Sequence, residues 1–157
     1  MRIIGLLLAA FVLISDQVSK FIVVKYYPLE RIQVTEFFNL SLVYNKGISF
    51  GLFNNIDYSN YVFFFLSSFI VIFLLKWLKD TNKKYEFIGL SLIIGGAIGN
   101  IIDRLAYPGV VDFLEFHWKE HYWPSFNIAD SAICLGVCIL MIFGICCNLK
   151  KTKTSEE

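Results

Sequence analysis

The sequence predicts an all-α membrane protein: four transmembrane helices, with a small extracytoplasmic β-like segment and an interfacial loop. Three observations predict it. Of 157 residues, 57% are hydrophobic and 17% charged, whereas an ordinary soluble domain is about 45–50% apolar and about 25% charged. The apolar residues gather in four long blocks, and crossing a hydrocarbon core takes about 20 residues of helix. None of the blocks alternates apolar and polar residues at period two, as a barrel strand would. The length suits one domain over residues 1–157. A formal net charge of +1 gives no pull toward polyanions, so a nucleic-acid partner is not expected.

The first block is Ile3 to Val24. Arg2 and the run Leu6-Leu7-Leu8-Ala9-Ala10-Phe11 imitate the start of a cleaved leader. The apolar stretch continues past Asp16 and Lys20, however, without a small-residue cleavage site and a polar mature start, so a retained helix is expected. Asp16 and Lys20 lie one turn apart on one face and predict an ion pair. The outside segment that follows partly alternates over 37–44, with aromatic and β-branched residues, which predicts a short strand or hairpin. Asn45-Lys46-Gly47 supplies a turn. Gly47–Phe53 is apolar although outside, and is expected to lie over the site or on the membrane surface and to close over a bound peptide.

The second block, about Tyr58 to Leu75, is rich in Phe. A basic turn over 76–86 leads to the third, Phe87 to Leu105, where Gly95 and Gly99 form a G-x-x-x-G spacing that admits a close helix neighbour. The same block carries Asn100, Asp103 and Arg104. Pro108-Gly109 marks a turn. Val110–Phe116 then reads as extended, with Asp112 isolated between Val111 and Phe113. His117-Trp118-Lys119-Glu120-His121 fits the H-x-x-E-H pattern of a zinc peptidase family. That site needs a stable helix, which Pro124 opposes, so a wet aromatic interfacial loop is expected and no metal or cofactor. The fourth block, Ile128 to Cys147, opens on Asn127, Ala129 and Asp130 and ends in a basic tail over 148–157. Its four cysteines, Cys134, Cys138, Cys146 and Cys147, lie in the block and not in an outside loop, which favours packing or lipid-facing roles over disulfides.

Arg2, Lys76, Lys79, Lys83, Lys84, Lys150, Lys151 and Lys153 would share one side of the membrane. The longer segments opposite hold Lys25, Arg31, Lys46 and Lys119. The excess of positive charge predicts both termini in the cytoplasm. Trp77, Tyr107, Trp118 and Trp123 fit interfacial belts. At about 1.5 Å per residue, Asp16 and Asn100 each lie about 20 Å from the inner ends of their helices. Arg104 lies slightly further, and Asp130 is close to the outer end of the fourth. The polar residues therefore form a layer in the outer third of the bilayer, where a substrate arriving from outside would meet them.

Ionisable groups placed in lipid are costly and commonly functional. Two carboxyls brought together in a partly dry site cannot both ionise comfortably and share one proton. One then deprotonates a water while the other donates to a carbonyl oxygen, which is peptide hydrolysis without a covalent intermediate. The competing reading is a small multispanning transporter or ion pathway, but such a protein would more often place polar residues at the midplane.

Five segments resemble the elements of bacterial lipoprotein signal peptidases, the signal peptidase II family. Asp16-Gln17-Val18-Ser19-Lys20 is similar to its D-x-x-S-K element, and Asn45-Lys46-Gly47-Ile48-Ser49-Phe50 to its N-x-G-x-(small)-F element. Gly95 to Arg104 is similar to G-G-x-x-G-N-x-x-D-R. Val110-Val111-Asp112-Phe113 and Phe126-Asn127-Ile128-Ala129-Asp130-Ser131 resemble the two elements that carry the catalytic aspartates. The resemblance spans about residues 1–147, in the family's order and without departure at these positions. It implies an aspartic endopeptidase of the bacterial cytoplasmic membrane. Such an enzyme cuts diacylglyceryl-modified prolipoproteins on the amino side of the lipidated cysteine. Asp112 and Asp130 would be the catalytic dyad. Asn100, Arg104 and Asn127 would line and support the site, and Asp16, Lys20, Asn45, Gly47 and Asp103 also match. The implied partners are membrane lipid, the prolipoproteins and, functionally, the diacylglyceryl transferase that prepares them.

Overall fold

The computed structural model describes residues 2–27, 31–47 and 58–154, the side chains of 2 and 146–154 excepted. Four helices among them are long and apolar enough to cross a membrane. α1 is Arg2–Tyr26, α2 Ser59–Asp80, α3 Lys84–Ala106 and α4 Ile128–Thr154. Each covers its expected block and runs beyond it. Hydropathy marks the length of chain that lipid requires, whereas a helix continues until its hydrogen bonds are interrupted. α2 passes Leu75 and buries Leu78 beside Leu74 in a core with Phe87, Leu90, Ile93 and Ile94. The expected basic turn over 76–86 therefore shrinks to the residues between Asp80 and Lys84. The basic tail is likewise helical to Thr154, since it contains no Gly or Pro to stop it.

The turn between α2 and α3 is tied by Glu86. Its carboxylate accepts from the Thr81 hydroxyl, from Trp77 Nε1 at 3.2 Å and from Lys83 Nζ at 2.7 Å. Glu86 sits in the first turn of α3, where a carboxylate also complements the positive end of the helix.

α3 is the central helix. Its membrane window is 61% buried, compared with 17–22% for the other three. Every residue from Gly89 to Gly96 is buried, as expected of a helix enclosed by others. The predicted G-x-x-x-G face packs against α1. A Cβ at Gly95 would stand 2.6 Å from the Ala9 carbonyl oxygen, and one at Gly99 would stand 2.5 Å from Asp16 Oδ2. Outward faces are apolar, with Phe11, Phe65, Phe69 and Ile72 each about two-thirds exposed, which suits lipid as the solvent. Cys134 and Cys138 are free and exposed on α4.

The expected β-like segment is an antiparallel sheet of four strands in the order β1-β2-β3-β4. β1 is Ile32–Thr35, β2 Phe38–Asn45, β3 Val110–Trp118 and β4 His121–Tyr122. The β1–β2 turn falls at Glu36-Phe37. Asn45-Lys46-Gly47 instead ends β2, where Asn45 Oδ1 accepts the Gly47 N–H at 3.0 Å, an Asx-type turn. The segment expected as a loop over 117–123 begins as a hairpin: His117 pairs with Tyr122 and Trp118 with His121. Lys119 takes the left-handed conformation between them, with φ 54°. The two histidines of the H-x-x-E-H pattern therefore sit on strands, where their spacing does not place them on one helix face.

Beyond this hairpin the chain returns along β3. Phe126 exchanges backbone hydrogen bonds with Leu114 at 2.9 and 3.0 Å, which delivers Asn127 and the start of α4 beside Asp112. A register irregularity between Leu40 and Val43 resets β2, so that Val43 faces Asp112 and Asn45 faces Val110. Asn45, two residues beyond Val43, thus shares the face of Asp112.

Candidate active site

The site begins with how α4 starts. Asn127 Oδ1 accepts the Asp130 N–H at 2.8 Å, and Asp130 Oδ2 accepts the Asn127 N–H at 3.3 Å. This is the reciprocal pattern of a capping box, with Asn and Asp in place of the usual residues. The helix-start chemistry therefore fixes the Asp130 carboxylate. One further orphan donor, the Ala129 N–H, is taken by Asp16 Oδ1 at 2.9 Å. A carboxylate on α1 thus caps α4 across the bundle.

Asp112 is buried on β3 and held from both sides. Asn127 Nδ2 donates to its Oδ1 at 2.8 Å, and Asn45 Nδ2 donates to its Oδ2 at 3.0 Å. Asn127 therefore touches both aspartates, one through its amide and the other through the cap. Asn100 Nδ2 donates to Asp130 Oδ1 at 2.8 Å. Asp112 and Asp130 line one cavity of about 180 Å³ together with Asn45, Gly47, Phe63, Asn100, Arg104, Val110 and Ser125. Burial, and next the charge of Asp130, push the Asp112 carboxyl up to about 7, against the hydrogen bonds from Asn45 and Asn127.

Behind the cavity lies a buried ionic cluster. Lys20 Nζ is 2.7 Å from Asp16 Oδ2 and 2.7 Å from Asp103 Oδ2, so the expected local pair is a three-residue cluster. Asp103 is placed by more than Lys20. It accepts the buried Val111 N–H at 3.0 Å and Gln17 Nε2 at 3.0 Å, which pins β3 to the C-terminal end of α3. Arg104 reaches forward into the cavity. It donates to the Gly47 carbonyl oxygen at 3.4 Å and to Asn60 Oδ1 at 3.3 Å, and lies over the Phe63 ring at 5.5 Å.

All ten sequence-predicted site residues thus meet in one connected layer at one end of the helix bundle. Asp112, Asp130, Asn45, Gly47, Asn100 and Arg104 line the cavity. Asn127, Asp16, Lys20 and Asp103 support it from behind. Residues 48–53, expected to close over the site after Gly47, lie outside the described residues. Four participants have no site assignment from sequence: Gln17, Asn60, Phe63 and Ser125. Asn60 carried a usable signal, a lone amide at the start of an apolar helix. Gln17 stood inside a quoted motif, and Phe63 was indistinguishable among the phenylalanines around it. A larger groove of about 550 Å³, lined by Phe37, Trp118, Tyr122 and other aromatic residues of the sheet, contains neither aspartate.

A family model described as signal peptidase (SPase) II matches residues 8–146. The chain belongs to the signal peptidase II family. Lipoprotein signal peptidases of Aeromonas hydrophila and Syntrophotalea carbinolica are among its relatives. The first is 41% identical, over 98% of this chain and 94% of the relative. The second is 40% identical, over 87% and 88%. Two solved structures described as bacterial membrane enzymes share the fold. One has a TM-score of 0.80 at 29% identity, covering 98% of this chain and 91% of that one. The other has 0.76 at 31%, covering 88% and 90%. Membership makes the chain a multipass bacterial membrane protein and an aspartic protease of the signal peptidase II type. The alternative of a small transporter is not favoured.

Proposed function

We propose that this protein removes the signal peptide from diacylglyceryl-modified prolipoproteins, cutting on the amino side of the lipidated cysteine, with Asp112 and Asp130 as the catalytic dyad. The observation that carries the reading is one small polar cavity lined by two aspartates from different elements, with Asn127 donating to both carboxylates. Asp130 takes a proton from a water as the water oxygen bonds to the scissile carbonyl carbon. Asp112, as the acid, donates to the carbonyl oxygen. When the tetrahedral intermediate collapses, the C–N bond breaks, the proton on Asp130 passes to the leaving amine, and a hydroxyl of the intermediate returns a proton to Asp112. A carboxylate remains on the signal peptide and an amine on the lipidated cysteine. The residues 1–157 act as one peptidase domain, to which the diacylglyceryl transferase supplies substrate.

The lipid has a physical role in this reading. Acyl chains in the outer leaflet hold the scissile bond at the height of the polar layer, so that binding energy remote from the reaction serves positioning. Matched precursors with and without the diacylglyceryl group, at equal membrane concentration, test it. The lipidated precursor is expected to be cleaved at least about 100-fold faster, as lost positioning commonly costs that much. Equal rates would remove the lipid as a recognition element.

Orientation follows from the same reading, with both termini cytoplasmic and the cavity near the extracytoplasmic face. Reporter fusions at Asn82 and at the C-terminus should read cytoplasmic, and one near Lys119 external. An external C-terminus would overturn it.

The cycle needs one proton on the dyad. Because Asp112 holds its proton to about 7, kcat/KM is expected to fall as pH rises above that point. A profile in lipid or detergent checks this, and a rate still rising well above pH 7 would contradict it. The linkage sign is definite. The folded protein binds this proton more tightly than the unfolded chain does. Asp112 therefore favours folding at low pH, and that contribution is lost as pH rises from 3.8 through about 7.

A further inference from the structure

Lys20 touches neither aspartate of the dyad, yet its geometry bears on which of them carries the proton. Lys20 is 1% exposed, and its ammonium has three N–H donors and no acceptor. Asp16 Oδ2 and Asp103 Oδ2 take two of its contacts at 2.7 Å, and Asn100 Oδ1 takes the third at 3.0 Å. Nothing but an acceptor can face this group. The Asn100 amide is therefore held with its oxygen toward Lys20, and its Nδ2 is turned to Asp130 Oδ1 at 2.8 Å. Asn127 Nδ2 meets the same oxygen at 3.3 Å, which reinforces that orientation. If the amide were flipped, an oxygen would face Asp130, tolerable only with a proton between them. As oriented, a donor faces Asp130, which favours its carboxylate form.

The surrounding charges favour one proton retained on the dyad. The dyad is faced by Asp16 and Lys20 from α1, by Asp103 and Arg104 from α3, by Asp112 itself from β3 and by Asp130 from α4. α2 and β2 contribute the uncharged Asn60 and Asn45. Four carboxyls thus share a water-poor region with two cations, and a wholly ionised set would carry a net charge of −2. One proton retained on the dyad relieves part of this excess. Asp112 also accepts from two amides, Asn127 Nδ2 at 2.8 Å and Asn45 Nδ2 at 3.0 Å, but only the Asn100 amide that faces Asp130 has the Lys20 ammonium behind it.

We propose that Lys20 is a positioning residue which, through the Asn100 amide, designates Asp130 as the ionised member of the dyad and leaves the proton to Asp112. The proposal rests on the dyad reading above. It predicts that removing the ammonium both frees the Asn100 amide to turn and strengthens proton retention across the dyad.

The test compares the full-length wild type with Lys20→Met in lipid. In Lys20→Met the acidic limb of the kcat/KM profile is expected to move up by about one pH unit or more, so that the loss of activity at acidic pH exceeds the loss at the plateau about tenfold. An equal fractional loss at every pH would show a purely structural role and overturn the proposal. If Lys20→Met does not fold, Lys20→Met with Asp16→Asn removes the charges as a pair while retaining an acceptor for the Ala129 N–H. Its limb should move in the same direction by less, and an unmoved limb would overturn the proposal. Infrared difference spectra give a readout independent of turnover. In wild type the protonated-carboxyl band of the dyad should vanish in Asp112→Asn and persist in Asp130→Asn. The reverse assignment would overturn the proposal while leaving the dyad intact. Failure of the dyad reading has a different signature, namely cleavage that survives either Asn substitution.

Discussion

Asp112→Asn and Asp130→Asn are each expected to lower kcat by at least about 10³-fold, the scale of losing positioned acid–base chemistry, while the protein stays inserted and folded. The two substitutions fail for different reasons. Asn at 112 keeps one oxygen, so it accepts from only one of Asn127 and Asn45, and it has no proton to give the carbonyl oxygen as an acid does. Asn at 130 keeps an oxygen for the cap at the start of α4, so the helix still begins correctly, but it cannot take a proton from water. Gel-shift cleavage of a diacylated precursor reads both, with thermal unfolding as the control for folding. Wild-type activity in either variant would end the dyad assignment.

Asp16→Ala should damage stability and activity together. Its carboxylate pairs with Lys20 at 2.7 Å and caps the Ala129 N–H at 2.9 Å, and all three groups are buried. Truncation leaves a backbone donor unsatisfied and the ammonium with a single carboxylate. Breaking a buried pair from one side costs about 3–5 kcal/mol. A drop in Tm of about 10 °C follows for a chain of this size. Asp16→Asn, which keeps the cap oxygen, should fall between wild type and Asp16→Ala. An unchanged Tm in Asp16→Ala would mean that the cross-bundle cap contributes nothing, and that α4 positions Asp130 by its own capping box alone.

The four helices were legible in the sequence because lipid imposes a length and a polarity that each segment must satisfy alone, whatever its neighbours. The outer polar layer was legible for the same reason: charged residues inside apolar runs stand out, and a helix's fixed rise converts position into depth. The motifs carried the site residues as a set, and the family match bears out the resemblance they gave.

What the sequence could not supply was the partner of each group. Asp16 and Lys20, one turn apart, predicted an ion pair; that Asp103 joins it and that Asp16 caps a different helix depends on how closely Gly99 lets α1 approach α3. Strand extent escaped too. The hairpin at 117–122 replaced an expected loop, and a turn at Glu36-Phe37 joins β1 to β2 ahead of the expected one at Asn45-Lys46-Gly47, because pairing is set by the opposite strand and by the bulge between Leu40 and Val43. The sequence by itself determined the number of crossings, their depth and the residue types available for chemistry, all of which depend on local polarity against a fixed solvent. Only the tertiary structure decided that Asn127 joins Asp112 to Asp130 and that Lys20 orients Asn100. The contacts of Asn127 with Asp112 and of Lys20 with Asn100 span 15 and 80 residues of chain, and packing alone brings such distant residues within hydrogen-bond reach.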